Sequence, residues 1–143
     1  MAEIDMDSGK RQRGLETLQT MGGRRMVAGY EERIAAGGVD GALAAMAVDF
    51  AFADAWARPG LAMRDKSLVI ISVMIALRQP RELKSHFQLG LKNGLTPEEL
   101  GEAVIQATPY VGFPAMHVAY DVLKDVLKEH EARAAAKGGA GGA

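Results

Sequence analysis

Apolar residues recur along this chain at intervals of three and four, the spacing that places them on one face of an α-helix. No long stretch alternates with period two, so strands are not predicted. We expect an all-α protein in which about six helices form one compact bundle. The expected helical segments are residues 14–36 with a break at Gly22-Gly23, 40–57, about 64–77, 80–93, 97–108, and from the turn at 109–114 to about 136.

Two of these helices have distinctive apolar patterns. The second carries a stripe at i, i+3, i+4 and i+7, typical of a buried helix face: Leu43, Met46, Ala47 and Phe50. The third contains residues 68–77, which are apolar on every side apart from Ser72. Such a helix has to be covered all round, and a second subunit covers it most easily in a chain of this size. We therefore expect a homo-oligomer; the alternative is a central helix wrapped by its own chain.

The boundaries of the fourth and fifth helices are encoded locally. Pro80 suits the first position of a helix, and Gly94 suits the left-handed conformation just after a helix end. Thr96-Pro97-Glu98-Glu99 has the pattern of a capping box, in which the Thr hydroxyl and the Glu carboxylate each accept a backbone N–H of the other residue. We expect one helix to end near Asn93 and the next to begin at Pro97.

Length and composition limit the possible classes. The 143 residues suit one domain, which we place at residues 14–136 between a flexible N-terminal arm, residues 1–13, and a disordered Gly/Ala tail, residues 137–143. The net charge of -1 argues against a nucleic-acid partner. The absence of cysteine excludes disulfides, thiolate catalysis and cysteine-based metal sites. No secretory signal or membrane-spanning run is evident, so we expect a cytoplasmic protein without membrane contact.

One histidine has a candidate partner. Residues 83, 87 and 91 form the predicted buried stripe of the fourth helix, and His86 lies about 60° to one side of Leu83. Glu82 precedes His86 by one helical turn and is positioned to accept a proton from the ring and to raise its basicity. A half-buried surface pair that only supports the helix explains the same spacing, and the spacing alone favours that interpretation.

Other polar residues suggest a carboxylate site. Arg64 opens the apolar third helix, where a guanidinium is suited to bind a carboxylate with two hydrogen bonds; pairing with Asp65 or a nearby Glu is its structural alternative. Ser67, Trp56 and Tyr110 are candidates to line the same space, although core packing is the commoner role of aromatic residues. His117 and His130 are well separated from His86, so no metal site is predicted.

Residues 56–120 carry a series of recognisable segments. They are Trp-Ala-Arg-Pro-Gly-Leu, Arg-Asp-Lys-Ser-Leu-Val, Glu-Leu-Lys-Ser-His, Asn-Gly-Leu-Thr-Pro-Glu-Glu-Leu and Tyr-Val-Gly-Phe-Pro-Ala. Together they strongly resemble the carboxymuconolactone decarboxylase family, and the resemblance covers most of the chain after about residue 14. It implies a compact helical fold of the alkylhydroperoxidase D type that assembles into trimers or hexamers.

The peroxidase members of that family carry a Cys-x-x-Cys pair ahead of the histidine. When the pattern is aligned on His86 and Gly94, Gln79 and Glu82 occupy the two cysteine positions. Thiol peroxidase activity is therefore excluded, because no thiolate is present to attack a peroxide. The chain resembles the cysteine-free decarboxylase branch instead.

For that branch the resemblance implies cofactor-free loss of carbon dioxide from γ-carboxymuconolactone or a related unsaturated lactone acid of aromatic catabolism. Such a reaction needs a cation for a carboxylate, a donor to the developing oxyanion and an acid. Arg64 suits the first role and His86, oriented by Glu82, the last, while Ser67 or Tyr110 supplies the donor. A non-catalytic helical oligomer or binding protein, with Trp56 and Tyr110 at a subunit interface, is the competing hypothesis.

Overall fold

The structure, a computed structural model, describes residues 8–139. Within that part of the chain all regular elements are helical, which confirms the all-α prediction, and none of the helices is both long and apolar enough to span a bilayer. The elements are α1 (Ser8–Gly22), α2 (Arg24–Ala36), α3 (Gly38–Met46), a π-helix (Ala47–Trp56), α4 (Met63–Ala76), α5 (Pro80–Lys92), α6 (Pro97–Val111) and α7 (Phe113–Gly139).

Both ends of the described chain are helical further out than expected. Residues 8–13, assigned to a flexible arm from sequence, form the start of α1, and residues 137–139 form the end of α7. Arg11 explains part of the difference at the first end, because its guanidinium pairs with the Asp49 carboxylate, with 2.6 Å between Nη2 and Oδ2. The remaining parts of the predicted arm and tail, residues 1–7 and 140–143, lie outside the described residues.

The chain divides into two compact units, and the single domain expected at residues 14–136 stays a prediction. The first unit extends to Met63 and the second begins at Arg64. In the first unit α1 packs on the π-helix and α2 packs on α3, whereas in the second α5 and α6 both pack on α7. The division therefore falls at the first turn of α4, between Met63 and Arg64.

Small residues allow close helix packing in the first unit. A Cβ atom on Gly14 of α1 would lie 2.3 Å from the backbone oxygen of Val48. A Cβ atom on Gly41 of α3 would lie 2.8 Å from the backbone oxygen of Arg33 in α2. Glycine at these two positions lets neighbouring helix backbones approach more closely than any side chain would permit.

The prediction of which face of the second helical segment is buried was wrong. Leu43, Met46 and Phe50 are 56%, 65% and 71% exposed, while Gly41 and Ala44 on the other side of α3 are buried. The smaller residues face inward because the close approach of α2 leaves no room for large side chains. From Ala47 the segment continues as a π-helix, whose wider turn further alters the predicted alignment.

The second unit has a continuous apolar core. Leu83 and Phe87 of α5 are fully buried and Leu91 packs against them, so the predicted stripe of this helix is confirmed. The core also contains residues from the three other helices of the unit and the turn before α6: Ile71, Ile75, Leu95, Leu100, Val104, Ala119, Leu123 and Val126.

The locally encoded boundaries are confirmed. Pro80 is the first residue of α5, and Gly94 adopts φ 99° just beyond its end. The capping box is complete: the Glu99 backbone N–H donates to Thr96 Oγ1 at 3.1 Å, and the Thr96 N–H donates to Glu99 Oε2 at 2.9 Å. However, α6 continues through Pro109 to Val111, so only Gly112 separates it from α7.

Helix α4 is not covered on all sides by its own chain. Ser67 and Ile71 are buried, as is Ile75 one turn further along. A second face of the helix is solvent-accessible, with exposures of 51%, 41% and 58% for Val69, Val73 and Leu77. Helix α4 therefore leaves one apolar face exposed to solvent.

Candidate active site

A groove of about 670 Å³ lies between α4 and α6, entirely within the second unit. Small side chains on the facing helices, among them Ala76, Ala103 and Ala107, leave this space open. Leu68 and Val111 add larger apolar surface. The polar groups of its lining are Arg64, Ser72, Glu99, Glu102, Gln106 and Tyr110. The groove therefore combines an apolar wall with one guanidinium, that of Arg64, and two carboxylates, those of Glu99 and Glu102.

Arg64 is placed at the groove by the first turn of α4. Its Nη2 donates to Oε1 of Glu99, and its Nη1 donates to Oδ1 of Asp65 at 3.3 Å. The side chains of Arg64 and Glu99 are about two-fifths exposed, so solvent screens this pair. Pairing with Asp65 and a glutamate, the structural alternative considered from sequence, is present. A guanidinium has five N–H donors, and these contacts leave others for a ligand.

Glu99 is fixed from two directions. The backbone N–H of Thr96 and, to a smaller extent, the Arg64 guanidinium lower the pKa of its carboxyl below the usual range. The ionised carboxylate thus links the start of α6 to the start of α4. This link was not foreseen, because the capping box predicts only the contact with Thr96.

Tyr110 lies at the opposite end of α6 and lines the same groove. Its side chain is 83% exposed, so it is accessible to a small molecule in solution. Of the six candidate residues chosen from sequence, the structure brings Arg64 and Tyr110 together at this groove.

Ser67 does not line the groove. It is 1% exposed on the core side of α4, and its hydroxyl accepts a hydrogen bond from Nδ2 of Asn93 at 2.9 Å. Ser67 and Leu68 are consecutive, and consecutive residues on a helix point in directions about 100° apart. Leu68 faces the groove, which places Ser67 toward the interior, where its hydroxyl connects α4 to the end of α5.

His86 and Glu82 lie on α5 and do not line the groove either. His86 is half-buried, as predicted, and its buried Nδ1 has no hydrogen-bond partner among residues 8–139. No hydrogen bond or ion pair joins the two side chains in the described structure. Burial lowers the pKa of His86, and the charge of Glu82 opposes this only in part.

The expected increase in the basicity of His86 is therefore not found. Protonating Nδ1 would bury an unpaired N–H, which is unfavourable in an apolar environment. The ring is accordingly neutral at pH 7, and we infer that it carries its hydrogen on Nε2. In this form His86 can donate one hydrogen bond through Nε2.

Trp56 ends the π-helix and belongs to the first unit, where it is 8% exposed. Its burial agrees with the packing role that is common for aromatic residues. In the described residues, no group of three or more His, Asp or Glu side chains is arranged to hold a metal ion.

Sequence reasoning missed four polar residues of the groove: Ser72 on α4, and Glu99, Glu102 and Gln106 on α6. The three on α6 follow one another at intervals of three and four, which places them on one face of that helix. The same face carries the small residues Ala103 and Ala107. A polar stripe interleaved with alanines was the available signal, although a solvent-exposed face has the same pattern.

Comparison with known proteins agrees with this architecture. Residues 41–125 match the Carboxymuconolactone decarboxylase family. The chain is 41% identical over 81 residues to 4-carboxymuconolactone decarboxylase of Acinetobacter baylyi, covering 54% of this chain and 60% of that protein. It is 32% identical over 87 residues to nitrosuccinic acid decarboxylase npaB of Metarhizium robertsii, covering 58% and 61%.

The chain thus spans about three-fifths of the length of these curated relatives. The family match begins in α3 and includes the π-helix, α4, α5, α6 and nearly half of α7, so it contains the whole groove. This protein belongs to the carboxymuconolactone decarboxylase family.

Proposed function

We propose that this protein is a cofactor-independent carboxy-lyase that acts on γ-carboxymuconolactone or a related unsaturated lactone acid. The observation that carries the proposal is the position of Arg64 in the lining of a groove with apolar walls, where a guanidinium can bind a substrate carboxylate. Two relatives named as decarboxylases support the type of reaction.

The proposed reaction breaks one C–C bond and releases carbon dioxide. The electron pair of that bond moves through the conjugated C=C bond to the lactone carbonyl, so the substrate itself accepts the charge as a dienolate. A proton delivered to a ring carbon then gives the enol-lactone. The protein has to hold the carboxylate, stabilise the oxyanion and deliver the proton.

Arg64 is assigned to the carboxylate, and the Tyr110 hydroxyl at the other end of the α6 wall is assigned to the developing oxyanion. Their presence in one groove supports these two roles. Ser67 is less suited to the oxyanion, because its hydroxyl is buried and accepts a hydrogen bond from Asn93.

The proton-transfer role of His86, with Glu82 as its orienting partner, rests on the family resemblance and not on the groove. Its lowered pKa means that the protonated ring is a minority form at pH 7. The imidazolium is the form that delivers the proton and becomes neutral imidazole, because a neutral ring that lost its Nε2 proton would become an imidazolate. Replacing His86 by Ala should cost 10²- to 10⁴-fold in turnover if the ring transfers the proton.

The active form is proposed to be a homo-oligomer, a trimer or hexamer. The open apolar face of α4, formed by Val69, Val73 and Leu77, supports this assembly because a neighbouring copy would remove it from water.

The proposed function is tested by incubating the purified protein with γ-carboxymuconolactone and measuring substrate loss together with released carbon dioxide. Nitrosuccinic acid provides a second substrate, chosen because a relative is named for its decarboxylation. Stoichiometric carbon dioxide from the lactone acid would support the proposal. Carbon dioxide release from nitrosuccinic acid alone would make that compound, and not the lactone acid, the substrate. No release of carbon dioxide from either compound would favour the non-catalytic oligomer.

A further inference from the structure

The contacts of Arg64 show how its guanidinium is oriented. One terminal nitrogen donates to Glu99 and the other donates to Asp65 at 3.3 Å. Within residues 8–139 no further partner of the guanidinium is found. Its remaining N–H groups are therefore available at the groove that Arg64 lines.

Glu99 is a fixed partner, because its two carboxylate oxygens have separate tasks. Oε2 accepts the Thr96 backbone N–H at 2.9 Å, while Oε1 accepts from Arg64. The Glu99 backbone N–H also donates to Thr96 Oγ1, so both the main chain and the side chain of Glu99 are anchored at the start of α6. A partly exposed arginine without such an anchor would sample many rotamers.

We propose that Glu99 is a positioning residue, which ties the Arg64 guanidinium to the start of α6 and directs its unused N–H groups at the carboxylate of a ligand in the groove. The inference rests on the proposed function insofar as Arg64 binds the substrate carboxylate. It adds a role for Glu99 beyond helix capping. The carboxylate orders the guanidinium before the ligand arrives, which reduces the entropy lost on binding.

Glu99→Gln separates the two tasks of the side chain. An amide has one oxygen, so a glutamine that accepts the Thr96 N–H turns its NH₂ group toward the Arg64 guanidinium, where two donors face each other. Thr96→Ala is the matched control. It removes the acceptor for the Glu99 N–H and weakens the same helix start, but it retains the backbone N–H that holds Glu99 Oε2.

The test uses succinate as a probe, because it supplies carboxylates but has no conjugated double bond to accept the electrons of decarboxylation. Calorimetric titration should give a Kd at least fivefold higher for Glu99→Gln than for wild type, and a change of less than twofold for Thr96→Ala. With a substrate that is turned over, Glu99→Gln should raise KM and leave kcat within about threefold of the wild-type value.

Other results would overturn the inference. Equal losses in Glu99→Gln and Thr96→Ala would show that Glu99 acts through the cap alone, and tighter succinate binding by Glu99→Gln would show that its carboxylate competes with the ligand. If Arg64→Ala binds succinate as well as wild type does, both the site and the inference are wrong. If succinate binding depends on Arg64 but no lactone acid is decarboxylated, only the proposed function fails.

Discussion

Burial sets the ionisation of His86 more strongly than its charged neighbour does. Its buried Nδ1 has no hydrogen-bond partner in the described part of the chain, and the pKa of the ring is lowered although Glu82 is one helical turn away. Glu99 shows the opposite case, because hydrogen bonds from Thr96 and Arg64 lower the pKa of an acid and so stabilise its charged form. The two residues are thus held in different charge states, neutral for His86 and ionised for Glu99.

The lowered pKa of His86 gives a prediction for stability. As pH falls below about 6.5, the unfolded chain takes up the proton before the folded protein does, so the free energy of unfolding should decrease. One such group changes this free energy by at most about 1.4 kcal/mol per pH unit. Urea unfolding at pH 7.5 and 5.5 should show a smaller difference for His86→Gln than for wild type.

Ser85→Ala, at the exposed neighbouring position of α5, is the control because it removes no titratable group. It should keep the wild-type difference between the two pH values. An undiminished pH dependence in His86→Gln would contradict the conclusion that burial holds this ring neutral.

Two of the six candidate residues chosen from sequence, Arg64 and Tyr110, line one groove, and His86 has the expected half-buried position. The functional roles of all six stay predictions. The sequence analysis named Asp65 as a possible partner of Arg64 but did not identify Glu99 as the other one, because Glu99 is 35 positions away along the chain and only tertiary packing brings the two together. Nor did it predict the absence of a Glu82–His86 hydrogen bond, since i, i+4 spacing permits the contact without enforcing it.

Helix boundaries were predicted better than helix faces. Pro80, Gly94 and the Thr96–Glu99 capping box act through local backbone chemistry, so their effect is visible in sequence. The inward face of α3 depends instead on how closely α2 approaches, which selects Gly41 over the larger apolar residues. The π-helix after Met46 likewise changes the periodicity on which the prediction relied.

Close packing of α1 on the π-helix gives a second stability prediction. Gly14→Ala would place Cβ 2.3 Å from the backbone oxygen of Val48, so the helices must move apart. We expect a loss of about 1–3 kcal/mol, as in other overpacked sites. At Gly29 in α2 an added Cβ atom would meet nothing within 4 Å, and Gly29→Ala should instead stabilise the protein by about 1 kcal/mol.

Urea unfolding followed by circular dichroism measures both changes. Both substitutions replace a helical glycine by alanine. A decrease in the free energy of unfolding for Gly14→Ala and an increase for Gly29→Ala would therefore isolate the effect of the helix contact. A Gly14→Ala protein as stable as wild type would show that the two helix backbones are not held this close.

At the scale of the whole molecule, exposed apolar residues remain on and beside α4. The sequence predicted that α4 needs cover on all sides, and the structure shows which face is open in one chain, that of Val69, Val73 and Leu77. The division into two units was not predicted, because it depends on which helices contact one another and not on any composition change at Met63.

A charge placed on the open face of α4 should disrupt the proposed oligomer. Val73→Lys would require burial of an ammonium in an apolar interface, which is strongly unfavourable. Size-exclusion chromatography with light scattering should give at least three times the mass of one chain for wild type and a smaller mass for the variant. Ala132→Lys, on an exposed part of α7, should leave the wild-type mass unchanged.

The central claim is that the α4–α6 groove binds and decarboxylates a lactone acid through Arg64. The most direct measurement is kcat/KM for γ-carboxymuconolactone in wild type and Arg64→Ala, with Lys92→Ala as the control because Lys92 is a cation outside this groove. Loss of a charged hydrogen bond of about 1.5–3 kcal/mol predicts a decrease of about 10- to 150-fold for Arg64→Ala and none for Lys92→Ala. Undiminished kcat/KM in Arg64→Ala would contradict the account.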